Sequence, residues 1–81
     1  TINIFPNPVN DLLHVDCSGW SLSTKINIKI FDIYSKEIMS TSVQSLPTNI
    51  IELSALNSGL YLLEISDQSY KRFKYAKFIK N

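Results

Sequence analysis

Two side chains capable of base or nucleophile chemistry lie near the start of the chain, His14 and Cys17, and each is the only residue of its type. A catalytic dyad needs the base held against the nucleophile, with a third group orienting the base. Both residues lie in an alternating apolar segment, where positions three apart face opposite sides of a strand. We therefore expect no dyad. His14 is expected on a solvent-facing or partly covered strand face, and Cys17 as a small buried side chain.

The other chemistry-bearing residues are too dispersed to form a site. The seven acidic residues are scattered along the chain and no two are placed together by sequence, so no carboxylate pair is set up for acid–base chemistry. The two glycines, Gly19 and Gly59, form no phosphate-binding loop, and no calcium or zinc motif is present. A single cysteine excludes an internal disulfide. The sequence predicts a protein that is not an enzyme and has no cofactor or metal site.

The last part of the chain is strongly basic. Residues 1–67 hold seven acids and three lysines, whereas residues 68–81 hold five basic residues and no acid. Basic residues interleaved with aromatics can bind nucleic acid through phosphates and stacked bases. Because the acidic remainder of the chain repels phosphate, we favour an amphipathic strand and expect no nucleic-acid partner. That strand has Phe73, Tyr75 and Ile79 on one face and Arg72, Lys74 and Lys80 on the other.

Exposed aromatic rings are a platform that small carbohydrate-binding sandwiches use. The candidates here are Trp20, Tyr34, Tyr61, Tyr70 and Tyr75. We expect most of them to fill the core or its margin. An accessory carbohydrate-binding or adhesive β-sandwich module is the alternative functional class.

The segments that carry these residues are predicted to be strands. Residues 25–30 alternate strictly, which places three isoleucines on one face and two lysines with Asn27 on the other. The phase breaks at Phe31, which predicts either a β-bulge or a stretch covered on both faces. Further strands are predicted at residues 11–17, 37–44, 49–53, 60–66 and 70–80, with a short one at 2–5.

Turn signals separate these strands. Pro6-Asn7-Pro8 predicts a rigid bend, residues 35–36, 57–59 and 67–69 predict turns, and residues 54–56 predict one helical turn capped by Ser54. A strand spacing of about 8 to 12 residues is typical of two packed antiparallel sheets. The predicted fold class is therefore an all-β antiparallel sandwich.

The size of the chain limits what it can enclose. Its 81 residues fit one domain with a small core and no deep cleft. The longest strictly apolar run, residues 60–63, is far shorter than the roughly 20 residues that span a bilayer, so we expect no membrane insertion. No signal peptide opens the chain, which begins at Thr1. We interpret residues 1–81 as a single domain cut from a longer protein, whose own N-terminus would carry any export signal.

Four motifs follow one another along the chain: FPNPVNDLLHV at 5–15, IKIFDIYSKEI at 28–38, IELSALNSGLYLLEI at 51–65 and KFIK at 77–80. Their order and spacing resemble the type A C-terminal sorting domain of the type IX secretion system, the Por secretion tail of Bacteroidetes. The resemblance covers residues 4–80. It implies a seven-stranded immunoglobulin-like sandwich at the end of a secreted protein, with no catalytic function of its own.

The resemblance also implies partners and a destination. Such a folded tail is recognised by the type IX translocon of the outer membrane, and it directs the N-terminal cargo domain of the same chain out of the periplasm. In many cargo proteins a sortase-like cysteine protease then removes the tail and attaches the mature protein to surface lipopolysaccharide, or releases it. The expected location is the periplasm in transit and then the cell surface or the medium. An edge strand is a candidate contact for a dimer.

The family's motif positions fall on Pro6, Asn7, Pro8, Asp32, Gly59 and Tyr61. Its terminal lysines fall on Lys77 and Lys80, which with Lys74 are the candidate residues for translocon recognition. We expect the basic last strand to offer its backbone edge for strand addition, or its charge for electrostatic pairing. The chain departs from the family at Ser35, where glycine is usual, so serine must adopt a positive φ there or the turn must be of another type.

Overall fold

The structure, a computed structural model, describes residues 3–16, 25–44, 48–67 and 72–81. Over these residues it contains seven strands and no helix, so no helix long and apolar enough to span a membrane occurs in them. The strands are β1 (Asn3–Phe5), β2 (Leu12–Asp16), β3 (Lys25–Phe31), β4 (Glu37–Gln44), β5 (Thr48–Glu52), β6 (Gly59–Asp67) and β7 (Phe73–Lys80). The predicted all-β class is confirmed.

The strands form two antiparallel sheets. One has three strands in the order β1-β2-β5, and the other has four in the order β4-β3-β6-β7. In immunoglobulin nomenclature these are strands A, B and E against strands C′, C, F and G. The expected immunoglobulin-like sandwich is therefore confirmed by its strand order as well as by its strand number.

The core lies between the two sheets and is built from alternate residues of each strand. In β3 the three predicted isoleucines are buried, while Asn27 and Lys29 on the other face are half-buried. This alternation is what a strand covered on one face requires. The buried apolar side chains are Val9, Leu13, Val15, Ile26, Ile28, Ile30, Ile51, Leu53, Tyr61, Leu63, Ile65 and Phe78.

The phase break after Ile30 is a β-bulge, one of the two structures predicted for it. Ile30 pairs with Met39 but Phe31 pairs with Glu37, so the register between β3 and β4 shifts by one residue. The bulge ends the β3–β4 pairing next to the turn that follows.

The last strand has the two predicted faces. An ordinary amphipathic strand would turn the face with Phe73, Tyr75 and Ile79 toward the core, but in this structure that face is exposed. Phe78 is fully buried, which fixes the even-numbered residues of β7 on the core side. Lys74 and Lys80 therefore lie on the inner face near the two ends of the strand. Phe73, Tyr75 and Ile79 are exposed on the outer face. The sequence therefore groups the residues of each face correctly. Which face turns to the core is determined by the large side chain of Phe78.

The connection between β5 and β6 is a turn without a helix. Leu56 N–H donates to the carbonyl of Leu53, a bond between residues three apart that closes a single turn. The predicted helical turn capped by Ser54 is wrong, because Ser54 Oγ donates to Glu52 Oε2 at 2.9 Å instead of accepting a backbone N–H.

The turn between β3 and β4 is built around Asp32. Its Oδ1 accepts hydrogen bonds from the backbone N–H groups of Tyr34 at 2.8 Å and Lys36 at 3.0 Å. Ser35 N–H donates to the Asp32 carbonyl at 3.1 Å, and Ser35 has a φ of 66°. Serine therefore adopts a positive φ, one of the two outcomes expected for this turn, in the left-handed region that glycine enters at lower cost.

This strained serine gives a stability prediction. Ser35→Gly should raise the free energy of unfolding by about 0.5 kcal/mol, because the cost of placing a Cβ in the left-handed region exceeds the added flexibility of the unfolded chain. The matched control is Ser58→Gly in another turn, where we expect a small loss. Urea denaturation measures both. A loss at Ser35 equal to that at Ser58 would contradict the role assigned to the φ of Ser35.

Candidate functional site

Of the two side chains with catalytic potential, the structure describes His14. His14 lies half-buried on the outer face of the three-stranded sheet, where its ring stacks on Phe5 with centroids 5.1 Å apart and planes 3° from parallel. Cys17 lies outside the described residues, as do Trp20 and Tyr70. Within the described ranges, no three His, Cys, Asp or Glu side chains are grouped so that they could hold a metal ion.

The Pro6-Asn7-Pro8 motif lies along the free edge of β7. Both Xaa–Pro peptide bonds, Phe5–Pro6 and Asn7–Pro8, are cis. Ile79 N–H donates to Asn7 Oδ1 at 2.9 Å, and Asn7 Nδ2 approaches the Lys77 carbonyl at 3.5 Å. The side-chain amide of Asn7 thus supplies an acceptor and a donor, as the peptide group of a neighbouring strand would.

Backbone contacts continue this edge pairing. Val9 N–H donates to the Ile79 carbonyl and Asn81 N–H donates to the Val9 carbonyl, each at 2.8 Å, so Val9 forms a parallel bridge with Lys80. Asn81 Nδ2 also donates to Asn10 Oδ1 at 3.1 Å. We call these contacts, made by residues 7–10 with residues 77–81, the terminal clamp.

The terminal clamp closes part of the edge that was expected to accept another strand. The outward backbone groups of Ile79 and Asn81 already have partners in residues 7–10. Because these N–H and C=O groups are already hydrogen-bonded to residues 7–10, an added strand cannot pair with them without displacing the clamp. Strand addition by the last strand stays a prediction, and at residues 77–81 it would require displacement of the clamp.

The three candidate recognition lysines have different surroundings. Lys77 is exposed on the outer face of β7, Lys74 is half-buried on the inner face, and Lys80 is only 7% exposed. Lys80 Nζ donates to the Asn81 carbonyl at 3.0 Å, and its charge acts on Glu52. Of the three ammonium groups, that of Lys77 is the most accessible to a partner.

Gly59 and Tyr61 position the start of β6 against the end of β7. Gly59 pairs with Lys80 and has a φ of 157°, a conformation that side chains rarely adopt. Tyr61 Oη donates to the Asn57 carbonyl at 2.7 Å, and its ring stacks on Phe78 with centroids 5.6 Å apart. This is the tyrosine corner of immunoglobulin-like domains, placed at the start of strand F.

The turn at Asp32 approaches the same end of the sandwich. A surface cleft of about 260 Å³ is lined by Asp32, Ile33, Ser35, Leu60, Tyr61, Leu62 and Lys77. Residues of the second, third and fourth motifs therefore share one cleft, and the terminal clamp joins the first motif to the fourth. The four motifs are visible in the sequence, but their proximity in space is not, because the first and fourth are about seventy residues apart.

The carboxyl group of Glu52 is held by the turn that follows it. Ser54 N–H donates to Glu52 Oε1 at 2.6 Å, and Ser54 Oγ donates to Oε2. The backbone bond, then the side-chain bond, lower the pKa of Glu52 below its ordinary value, with a smaller contribution from the charge of Lys80.

The fold and this arrangement define a class of protein: an immunoglobulin-like β-sandwich module whose four sequence motifs converge at one end. Residues 3–81 match the family described as the secretion system C-terminal sorting domain. The chain belongs to this family, the sorting domains of type IX secretion. By family, such a domain is a non-catalytic tail on a cargo chain handled by the type IX system, and it implies a protein secreted to the cell surface or beyond.

Comparison with solved structures supports the fold. A chain of PorZ matches with a TM-score of 0.68 and 20% identity over 99% of this chain. PorZ is described as an essential bacterial surface component of the type-IX secretion system of Porphyromonas gingivalis. The present chain spans 11% of the length of that PorZ chain. A comparison with curated protein sequences found no match.

The terminal clamp makes Asn7 a stability determinant. Asn7→Ala removes the acceptor of the Ile79 N–H and should lower the free energy of unfolding by about 1 kcal/mol. Asn7→Asp keeps an oxygen acceptor and should cost less. Chemical denaturation compares the two with Asn3→Ala, a change at an exposed asparagine on β1. Equal stability of Asn7→Ala and Asn3→Ala would show that the clamp contributes nothing.

The lowered pKa of Glu52 gives a pH dependence. Because its pKa in the folded chain lies below the ordinary 4.5, its hydrogen bonds stabilise the fold above that pH, and their contribution is lost as the pH falls through the folded-state pKa. Glu52→Gln should therefore flatten the loss of stability on acidification below pH 4.5. Ser54→Ala, which leaves the backbone donor, should flatten it less. Denaturation midpoints that fall in parallel for all three proteins would refute this assignment.

Proposed function

We propose that this domain is a C-terminal secretion signal that directs an N-terminal cargo through the type IX translocon of the outer membrane. The cargo crosses the periplasm in transit. A sortase-like cysteine protease then removes the domain, and the cargo is attached at the cell surface or released. Membership of the sorting-domain family over residues 3–81 supports the signal function.

The observation that carries the proposal is the convergence of all four motifs at one end of the sandwich. A motif that served only folding would be expected anywhere in the core. Here the last strand contacts the Asn7 segment through the clamp and pairs with Gly59. Its Lys77 shares the cleft with the Asp32 turn and Tyr61. A receptor that reads one surface would thus meet all four motifs at once.

We assign the recognition lysines different roles within this surface. Lys77 offers its charge to the translocon, and Lys74 contributes from the rim of the inner face. Lys80 acts mainly by holding the end of β7, since its side chain is largely buried and its ammonium group donates to the Asn81 carbonyl. Reversing the charges of Lys77 and Lys80 together would therefore alter folding as well as recognition, and the two effects could not be separated.

The carbohydrate-binding alternative draws less support from the described tyrosines. Tyr61 is buried and its hydroxyl is committed to Asn57. Tyr34 is exposed in the Asp32 turn, and Tyr75 is exposed on β7 opposite Glu64. If two copies associate through an edge, we propose β4, because the terminal clamp covers the end of β7.

The proposal is tested by fusing residues 1–81 behind a signal peptide and a fluorescent reporter in a bacterium that carries the type IX system. The fused reporter should reach the surface or the medium. The same reporter without the domain, and the fusion in a strain lacking the translocon, should stay in the periplasm. A folded fusion retained in the periplasm of the competent strain would contradict the sorting function and favour the carbohydrate-binding alternative.

A further inference from the structure

The outer face of the four-stranded sheet carries apolar side chains next to the cleft. Leu60 of β6 pairs with Ile79 of β7, and each is 47% exposed. In the next row Leu62 lies between Lys77 and Phe31, and both apolar side chains are half-buried. Contiguous exposed apolar side chains on a small domain mark a binding surface more often than isolated ones do.

The Asp32 turn adds one more apolar side chain to this surface. Ile33 in that turn is 65% exposed and forms one wall of the cleft, opposite Leu60 and Leu62. The carboxylate of Asp32 is engaged by its own turn, where Oδ1 accepts two backbone N–H groups. The apolar side chains left to meet a ligand in the cleft are those of Ile33, Leu60 and Leu62, and Lys77 and Ser35 lie beside them. We call Phe31, Ile33, Leu60, Leu62 and Ile79, together with Lys77, the docking face.

Lys77 is the cation of the docking face. Among the described residues its ammonium group forms no ion pair, and the ion pair on this side of the sheet joins Lys29 to Glu37 at 3.6 Å. Lys77 lines the cleft beside Leu62. An exposed cation surrounded by aliphatic side chains favours an anionic group that arrives together with apolar surface, because partial desolvation strengthens the charge pairing.

We propose that the docking face binds an acidic, apolar segment of a protein of the translocon, with an aliphatic or aromatic side chain in the cleft and a carboxylate on Lys77. This rests on the proposed sorting function and names the surface that performs it. Charge complementarity at Lys77 selects the carboxylate. A sugar would need several polar side chains around the cleft, and a nucleic acid would need several cations. The cleft lining supplies Ile33, Leu60, Leu62 and one lysine, beside Asp32, Ser35 and Tyr61. Of these polar groups, Asp32 Oδ1 and the Tyr61 hydroxyl are already bonded within the domain.

The opposite outer face provides a matched control. Ile50 on the three-stranded sheet is 58% exposed, so a charge placed there has a similar cost to one placed at Leu60. It lies on the other side of the sandwich, in the row where Phe5 stacks on His14. Lys25, exposed at the start of β3, is the control for reversing a charge.

The test uses the reporter fused to residues 1–81 in the competent bacterium. Leu60→Glu and Lys77→Glu should each lower the reporter outside the cell about tenfold and accumulate it in the periplasm, whereas Ile50→Glu and Lys25→Glu should stay within about twofold of the unmodified domain. Thermal unfolding of each purified 81-residue chain shows that the variants are folded.

The outcomes separate this inference from the sorting function. If the unmodified domain does not export the reporter, the sorting function fails and the docking face fails with it. If the unmodified domain exports the reporter and folded Leu60→Glu or Lys77→Glu does so equally well, the docking face is overturned and the sorting function stands. Equal losses in Ile50→Glu and Lys25→Glu would also overturn it, because export would then respond to any surface charge.

Discussion

The terminal clamp is the interaction on which the rest of this end of the molecule depends. β7 is an edge strand, and apart from its ladder with β6 the end of the strand is held by Asn7, Val9 and Asn10. An edge strand with free N–H and C=O groups invites pairing with other chains. By occupying these groups at residues 77–81, the clamp makes the C-terminal residues part of the folded surface. A sorting signal at residues 77–81 would then be read from the folded surface as well as from the sequence.

Phe78 connects the clamp to the core. It is fully buried and stacks on Tyr61, whose hydroxyl in turn holds the chain at Asn57. The large ring at the centre of the inner face determines which residues of β7 point inward, and so brings Lys80 into the sandwich. Burying a lysine requires a partner for its ammonium group. The Asn81 carbonyl supplies one, while the neighbouring Lys77 remains exposed at the cleft.

Much of this fold was predictable from local patterns. Strict alternation in residues 25–30 identifies β3 and its buried face. The loss of phase at Phe31 indicates either a bulge or a stretch covered on both faces, and the register with β4 shows the bulge. These signals arise because side chains alternate across a strand, a property of the chain itself. The direction of β7 was not predictable in this way, because both of its faces hold aromatic and basic residues. Which face turns inward depends on the fit of Phe78 against Tyr61.

The candidate site was predictable only in parts. The motif residues stand out by composition, but the terminal clamp joins positions about seventy residues apart through a side-chain amide, and no periodicity encodes that contact. The role of Ser54 also escaped prediction, because a serine before a turn is equally suited to accept a backbone N–H or to donate to a nearby carboxylate. The closeness of Glu52 decides between the two.

The terminal clamp is tested most directly by solution NMR on the 81-residue chain, observing residues 77–81. If the clamp exists, the amides of Val9, Ile79 and Asn81 exchange slowly with solvent and nuclear Overhauser effects connect Val9 with Lys80. If those amides exchange as fast as in an unfolded chain while the β3–β6 amides stay protected, the last residues are not part of the folded surface. A sorting signal built on the clamped end of β7 is then contradicted.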